Sequence, residues 1–546
     1  MNSVRSMIVF VALAGFVACR SSAEASPQPP LQLVLPVGDR PARRLIESTF
    51  GNYLDRFYNV KPTIVGSAIK AGSYVVLGTP ETNPLLKQLI RDGLKLTSKQ
   101  IGDEGFQIIT HESGPYRYVI IYGKTPRALK HGCQELIFYH LRATREGLTV
   151  DWPLDLVKIP EFPYRGIYML PCWSAHDSIE SWERVLRFNS ELTLNRNWFW
   201  LDGFPVAGHT GEYTNTPLAD EKRVQRLIDL VNDEAMKFYI GGGWMTWHHK
   251  KAVGHDIKKG TDYYLGYLKT FKRVGGFYFE PTGEPWNDGR GDESKAWLAE
   301  VEGFQNLIRT LLKKDPDLEI ALAIGSWNNP EYLQRMATLD SKHVFWWWCW
   351  GDPIRNQALD RFPNVLRWHN QFKQSPTPDE THGSREPPMP AERKLTGLAT
   401  SYDPAGGFGS PWHNASHPKF LAADLIFGGT TKPENFDPHT LPYFYLQYFF
   451  RERCWNLNLT TGEFEARLQR RLFDADAPAD AGKHYANLSR LVLWRYDDMK
   501  PKLKPGAEEL ATLRAFMDST SQRPWTSRMM DTLRHMEDAL ARLEGK

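Results

Sequence analysis

From residue 162 onward the chain repeats one rhythm: a short apolar run, a polar turn, then an amphipathic helix. The pattern predicts strands over 164–170, 193–201, 237–242, 275–280, 319–324, 343–350, 394–400 and 420–427. It predicts helices between them over 178–187, 220–235, 262–274, 295–314 and 330–337, with a long one near 441–455. Runs such as 275–279 are apolar at successive positions rather than at alternate ones. That is the pattern of a strand covered on both faces, as in a parallel sheet. Eight strand–helix units in succession fit a closed (β/α)8 barrel.

The flanking segments read differently. Residues 31–160 alternate strands (31–37, 73–78, 104–110, 117–122) with helices (40–57, 84–92, 125–141), as a small α/β domain does. The strands over 104–110 and 117–122 are close enough to pair. Beyond Cys454 the pattern is helical, over 461–472, 480–493, 506–518 and 521–544. Leu510, Leu513 and Met517 share one helical face, as do Met529, Leu533, Met536, Leu540 and Leu543. Thr461-Gly-Glu463 reads as a cap. The expected class is therefore α/β: leader and linker over 1–30, N-terminal domain over 31–160, barrel over 161–455 and helical extension over 456–546.

The first residues carry Arg5, an apolar stretch from Met7 to Ala18 and then Cys19. These are features of an export signal, too short to span a bilayer as a mature helix. Phe16-Val-Ala-Cys19 resembles a bacterial lipobox, which implies a lipid anchor on Cys19 and a periplasmic or cell-surface location, with plain secretion as the alternative. The later Cys133, Cys172, Cys349 and Cys454 are scattered without metal-ligand spacing, so buried thiols are expected and no metal is implied. No organic cofactor is implied either. With 67 basic and 64 acidic residues the chain has a net charge of +3, which gives no reason to expect nucleic acid as a partner. Oligomeric state is not legible.

In a barrel of parallel strands the chemistry collects at the C-terminal ends of the strands. The fourth strand ends in Phe277-Tyr-Phe-Glu-Pro-Thr-Gly-Glu-Pro-Trp286, which places Glu280 and Glu284 at that edge. Glycoside cleavage takes two carboxyl groups, one of them protonated at working pH. Glu284, between Gly283 and Pro285 and close to Trp286, suits the acid; Glu280 is its rival. For the second carboxylate Asp352 ends Phe345-Trp-Trp-Trp-Cys-Trp-Gly-Asp352, and Asp403 lies in Ser401-Tyr-Asp-Pro404. Both precede proline and also suit turn formation. The second strand offers Asn195, Arg196, Asn197, Trp198, Trp200 and Asp202. Arg196 is a candidate partner for a substrate carboxylate, or else half of an internal ion pair. Nineteen tryptophans are present. Trp200, Trp244, Trp247, Trp286, Trp327, Trp350 and Trp412, with Tyr402, are candidate stacking platforms for sugar rings. His248, beside His249, is a candidate hydrogen-bonding partner for substrate, since adjacent histidines on a strand point apart.

Gly72-Ser-Tyr-Val-Val-Leu-Gly-Thr79, Gly105-Phe-Gln-Ile108, Gly123-Lys-Thr-Pro-Arg-Ala-Leu129 and Pro160-Glu-Phe-Pro-Tyr-Arg-Gly166 resemble the N-terminal domain that precedes the barrel in family 67 α-glucuronidases and family 20 hexosaminidases. Arg453-Cys-Trp-Asn-Leu-Asn-Leu-Thr-Thr-Gly-Glu-Phe464 resembles the segment leading from their barrel to a helical tail. The hexosaminidases carry an Asp-Glu pair at the fourth strand, where this chain has Thr282-Gly-Glu284. The α-glucuronidases carry a single acid Glu, which Gly283-Glu284-Pro285 resembles, and their longer motifs around the base are not visible here. The resemblance implies an inverting hydrolase of polysaccharide-derived oligosaccharides, α-glucuronidase-like, with Glu284 as acid and Asp352 or Asp403 activating water. The alternatives are a non-catalytic glycan-binding lipoprotein and a hexosaminidase-like hydrolase.

Overall fold

The computed structural model describes residues 31–67, 70–144, 147–169, 171, 178–244, 249, 252–254, 256–280, 295–323, 334–335, 337–339, 342–348, 364–368, 397–401, 445–496, 506–523 and 525–545. The N-terminal domain runs β1 (Gln32–Val34), α1 (Arg40–Tyr58), β2 (Thr63–Val65), β3 (Gly72–Gly78), α2 (Pro84–Arg91), β4 (Phe106–Ser113), β5 (Tyr116–Gly123) and α3 (Pro126–Glu135). A hairpin, β6 (Leu141–Thr144) and β7 (Gly147–Val150), and a last strand, β8 (Asp155–Lys158), complete it. Its six-stranded sheet has the order β2-β1-β3-β5-β4-β8. The β4–β5 pair is antiparallel, as their sequence proximity predicts. Each helix starts where the sequence places a capping side chain followed by proline. The side chains of Asp39, Asn83 and Thr125 accept from the first-turn amides of Ala42, Leu86 and Ala128. The single helix predicted over 125–141 is divided. α3 ends at Glu135 and a π-helical turn, Leu136–His140, follows.

Eight parallel strands close the barrel: β9 (Tyr164–Met169), β10 (Arg196–Trp200), β11 (Lys237–Gly243), β12 (Gly276–Glu280), β13 (Glu319–Ala323), β14 (Val344–Trp348), β15 (Val365–Trp368) and β16 (Gly397–Ser401). Among the described helices around it are α4 (Ile179–Glu191), α5 (Glu221–Asp233), α6 (Ile257–Thr270) and α7 (Lys295–Lys314). The count of strands agrees with the sequence and the assignment does not. β15 fills a place the pattern missed, and β16 pairs directly with β9 to close the ring. The predicted strand over 420–427 lies outside the described residues, and the ring closes without it. β15 was missed because Val-Leu-Arg-Trp is four residues long, carries a charge and follows Pro363.

Side chains along each barrel strand alternate between the interior and the surrounding helices. Tyr168, Trp198, Trp200, Tyr239, Tyr278, Ala321, Phe345 and Leu366 pack together inside. Phe199, Phe238, Phe277 and Phe279 point outward into the helix layer. The interior is filled by large rings, and glycine makes room for them. A Cβ on Gly166 would stand 1.6 Å from a ring atom of Trp198.

The helical extension comprises α8 (Tyr445–Trp455), α9 (Thr461–Leu472), α10 (Ala481–Tyr496), α11 (Ala507–Thr520) and α12 (Ser527–Leu543). Its N-terminal cap at α9 is Thr460, one residue earlier than predicted, in a reciprocal box with Glu463. The apolar stripes are buried: Leu513 and Met517 on α11, and Met529, Leu533, Met536 and Leu540 on α12. A buried ionic seam joins the N-terminal domain to the extension. Glu135, at the end of α3, meets Arg451 of α8 at 3.0 Å, Arg467 of α9 at 2.9 Å and Lys158 of β8 at 2.8 Å. Burial pushes the Glu135 carboxyl up, and the surrounding cations outweigh it, so it stays well below the usual carboxylate range. Cys133 and Cys454 are buried free thiols, the latter pushed up to about 12 by burial.

Candidate active site

The barrel has two ends, and strand direction sorts the predicted residues between them. β12 delivers Glu280 to the C-terminal end as its last residue. Glu280 shares inward parity with Tyr278 two positions earlier. The Tyr278 hydroxyl donates to Glu280 Oε1 at 2.9 Å, and the Tyr168 hydroxyl of β9 donates to the same oxygen at 3.3 Å. Tyr168, Tyr278 and Trp200 make an aromatic floor beneath it, with ring centroids 5.2–6.5 Å apart. The result is a half-buried carboxylate on a rigid strand tip, oriented by two phenols over an apolar surface. The phenols are residues that sequence reasoning missed. For Tyr278 the signal was available, because it precedes Glu280 by one strand period; Tyr168 reaches the same carboxylate from β9, which is separated from β12 by two strands.

Trp200 thus stands on the floor of the mouth. Asp202, two residues further, is completely buried. Its Oδ2 accepts from the Gly243 amide at 2.6 Å and from the Tyr264 hydroxyl at 3.3 Å. Burial pushes its carboxyl up to about 7 against those hydrogen bonds, and the charge of Glu280 pushes the same way.

Two predicted site residues lie elsewhere. Arg196 is the first residue of β10 and so sits at the opposite, N-terminal end of the barrel. Its guanidinium is engaged by Glu319, with Nη2 to Oε1 at 3.0 Å and Nε to Oε2 at 3.2 Å, and lies 3.9 Å from the Tyr164 ring centre. Lys237 adds a bond to Glu319 at 2.8 Å, and the Tyr239 hydroxyl also donates to it. Burial pushes the Glu319 carboxyl up, but Arg196 and Lys237 prevail and hold it at about 2. This cluster is a floor that closes the barrel, with no path to a substrate at the mouth. Asn195 and Asn197 lie at the same end, bonded to Arg165 and Asn189. Trp244 is 1% exposed and stacks on Phe304 of α7, between barrel and helix, so it offers no sugar platform. His249 is buried beside it, and burial lowers its imidazole to about 3. Glu284, Trp286, Trp247, His248, Trp327, Trp350, Asp352, Tyr402, Asp403 and Trp412 lie outside the described residues.

No protein-family model matches the chain, and no curated protein matches it by sequence. Solved structures do match by fold. A family GH115 4-O-methyl-α-glucuronidase with specificity for decorated arabinogalactans superposes with a TM-score of 0.54 at 13% identity, covering 95% of this chain and 72% of that one. A family GH138 enzyme targeting pectin rhamnogalacturonan II gives 0.54 at 12% identity, covering 94% and 85%. The family GH20 exo-β-N-acetylglucosaminidase of Vibrio harveyi, bound to N-acetylglucosamine, gives 0.51 at 11% identity, covering 82% and 73%. The fold of this chain is that of barrel-bearing glycoside hydrolases of several families, and nothing singles out family 67 among them.

Proposed function

We propose that this protein hydrolyses glycosidic bonds at the C-terminal mouth of its barrel. The observation that carries the reading is Glu280, a carboxylate at a strand tip, held by the Tyr168 and Tyr278 hydroxyls over an aromatic floor. A glycosidase transition state resembles an oxocarbenium ion, and a fixed carboxylate is suited to stabilise that positive charge or to hold a sugar hydroxyl. The rings of Tyr168, Tyr278 and Trp200 are themselves buried, so they support that carboxylate from below and leave the sugar platforms to other residues at the mouth. Glu284, four residues beyond, is the general acid in this reading. Asp352 or Asp403, following later strands, activates water. Substrates are oligosaccharides derived from polysaccharides, with uronic-acid-bearing ones first. The resemblance in residues 31–170 and the α-glucuronidase and pectin-directed enzymes among the structural matches support that choice. The leader over 1–30 supports export, with a lipid anchor at Cys19.

The test is incubation of the purified protein and its Glu284→Gln variant with uronic-acid-decorated oligosaccharides and simple aryl glycosides, followed by mass spectrometry. Release by the wild type, slowed about 10²–10⁴-fold in the variant, is expected for loss of a general acid. Oligosaccharide binding without release by the wild type would overturn the hydrolase in favour of a glycan-binding protein.

A further inference from the structure

The third barrel strand ends in Gly241-Gly-Gly243, and the second is followed by a buried acid, Asp202. The two features belong together. A Cβ on Gly242 would stand 2.6 Å from Asp202 Oδ1 and 2.7 Å from the Tyr264 hydroxyl, so the acid reaches this strand only because its backbone is bare. Asp202 Oδ2 then takes the Gly243 amide at 2.6 Å, and the Tyr264 hydroxyl that also approaches Oδ2 stands 3.0 Å from the Gly243 carbonyl. Gly243 is the register partner of Glu280, and the amide after it, that of Trp244, donates to the Glu280 carbonyl at 2.9 Å. A continuous path of short contacts therefore runs from the Asp202 carboxylate through the end of β11 to the backbone of Glu280.

We propose that Asp202 is a positioning residue for Glu280: it clasps the end of β11 and thereby fixes where the tip of β12 stands in the barrel mouth. The assignment rests on the hydrolase reading above, which makes Glu280 part of the site. The clasp consists of bonds that Asp202 accepts, from the Gly243 amide and the Tyr264 hydroxyl, while burial and the nearby Glu280 favour its protonated form. Asp202 is wholly buried and its Oδ1 makes no hydrogen bond. Among the described residues the titratable groups that face it are Tyr263, Tyr264 and Tyr267 of α6 and Glu280 of β12, none of them a cation. Burial places its titration near neutrality. Above that point a second negative charge is buried beside Glu280, so a rising pH acts on the residue that the clasp positions.

Steady-state kinetics and melting temperatures of the wild type, Asp202→Asn and Asp202→Ala across pH 5 to 9 test this. Loss of the clasp in the alanine variant is expected to lower kcat about 10- to 100-fold with KM within about twofold, since small misplacements of a reacting group have effects of that size. Asparagine keeps an acceptor for Gly243 and is expected to recover most of the lost kcat. Its rate profile is expected to lack an inflection near pH 7 that the wild type is expected to have. Wild-type kcat in the alanine variant, or an unchanged inflection in the asparagine variant, would overturn the assignment. Should the wild type hydrolyse nothing, the hydrolase reading fails separately. The melting temperature then decides about the clasp: at pH 5 a value lowered in Asp202→Ala and largely recovered in Asp202→Asn supports it, and an unchanged value in the alanine variant refutes it.

Discussion

Glu280 and Glu319 are both acids on barrel strands, and their places in the strands give them opposite work. Glu280 ends β12 and meets two neutral phenols at the mouth. Glu319 begins β13 and is enclosed by Arg196 and Lys237 at the floor. The depression of Glu319 to about 2 has a consequence for stability. Its ionised form is favoured in the folded state, so its contribution is complete above the ordinary value of 4.5 and is lost as pH falls towards 2. Replacing Glu319 by Gln leaves the buried Arg196 and the partly exposed Lys237 without their counter-charge. The expected cost is about 3–5 kcal/mol at pH 7, diminishing as pH falls through that window, measured by denaturant unfolding. Equal costs at pH 7 and at pH 3 would show that the ion pair is not its source. The sequence showed Arg196 and a choice of partners, a substrate or an internal acid. It did not show the choice, because Glu319 lies 123 positions away and only the closed barrel brings the two together.

At the level of elements, the barrel's strands were legible because buried parallel strands are apolar at every position. The helices were legible through their stripes and caps. What failed was the short strand. β15 has four residues and an arginine, and its place is set by its neighbours β14 and β16 rather than by its own composition. The meaning of Gly166 was equally hidden, because it answers to a side chain on another strand. Gly166 of β9 exists for Trp198 of β10, whose ring fills the barrel. The change Gly166→Ala is expected to destabilise by about 1–3 kcal/mol through overpacking, read as a lowered midpoint of unfolding. A second change, Trp198→Phe, should return part of that loss by freeing space. An alanine variant with an unaltered midpoint would contradict this packing.

For the molecule as a whole, the barrel is not an independent body with appendages. Glu104 of the N-terminal domain pairs with Arg165 of β9, and Asn195 donates to it at 2.8 Å at the entry to β10. Glu135 ties the same domain to the extension through Arg451 and Arg467. The seam leaves the C-terminal face of the barrel clear of these contacts, so the site is held by a scaffold anchored at its opposite end. Domain order, the helical tail and the class of fold could be read from pattern and resemblance. The seam could not, since its charges come from segments more than 300 positions apart and carry no local signature. The candidate site was legible as an edge, through Glu280, and not as an arrangement. The two tyrosines that orient Glu280 belong to strands separated by more than 100 residues.

The central claim is that the chemistry belongs to the mouth of the barrel around Glu280. The most direct measurement is kcat/KM of Glu280→Gln on the glycan that the wild type cleaves, with the melting temperature recorded alongside. A loss of about 10²–10³-fold with an unchanged melting temperature is the predicted result for removing a preorganised charge from the reaction. Wild-type kcat/KM in that variant would contradict the account and place the reaction elsewhere on the protein.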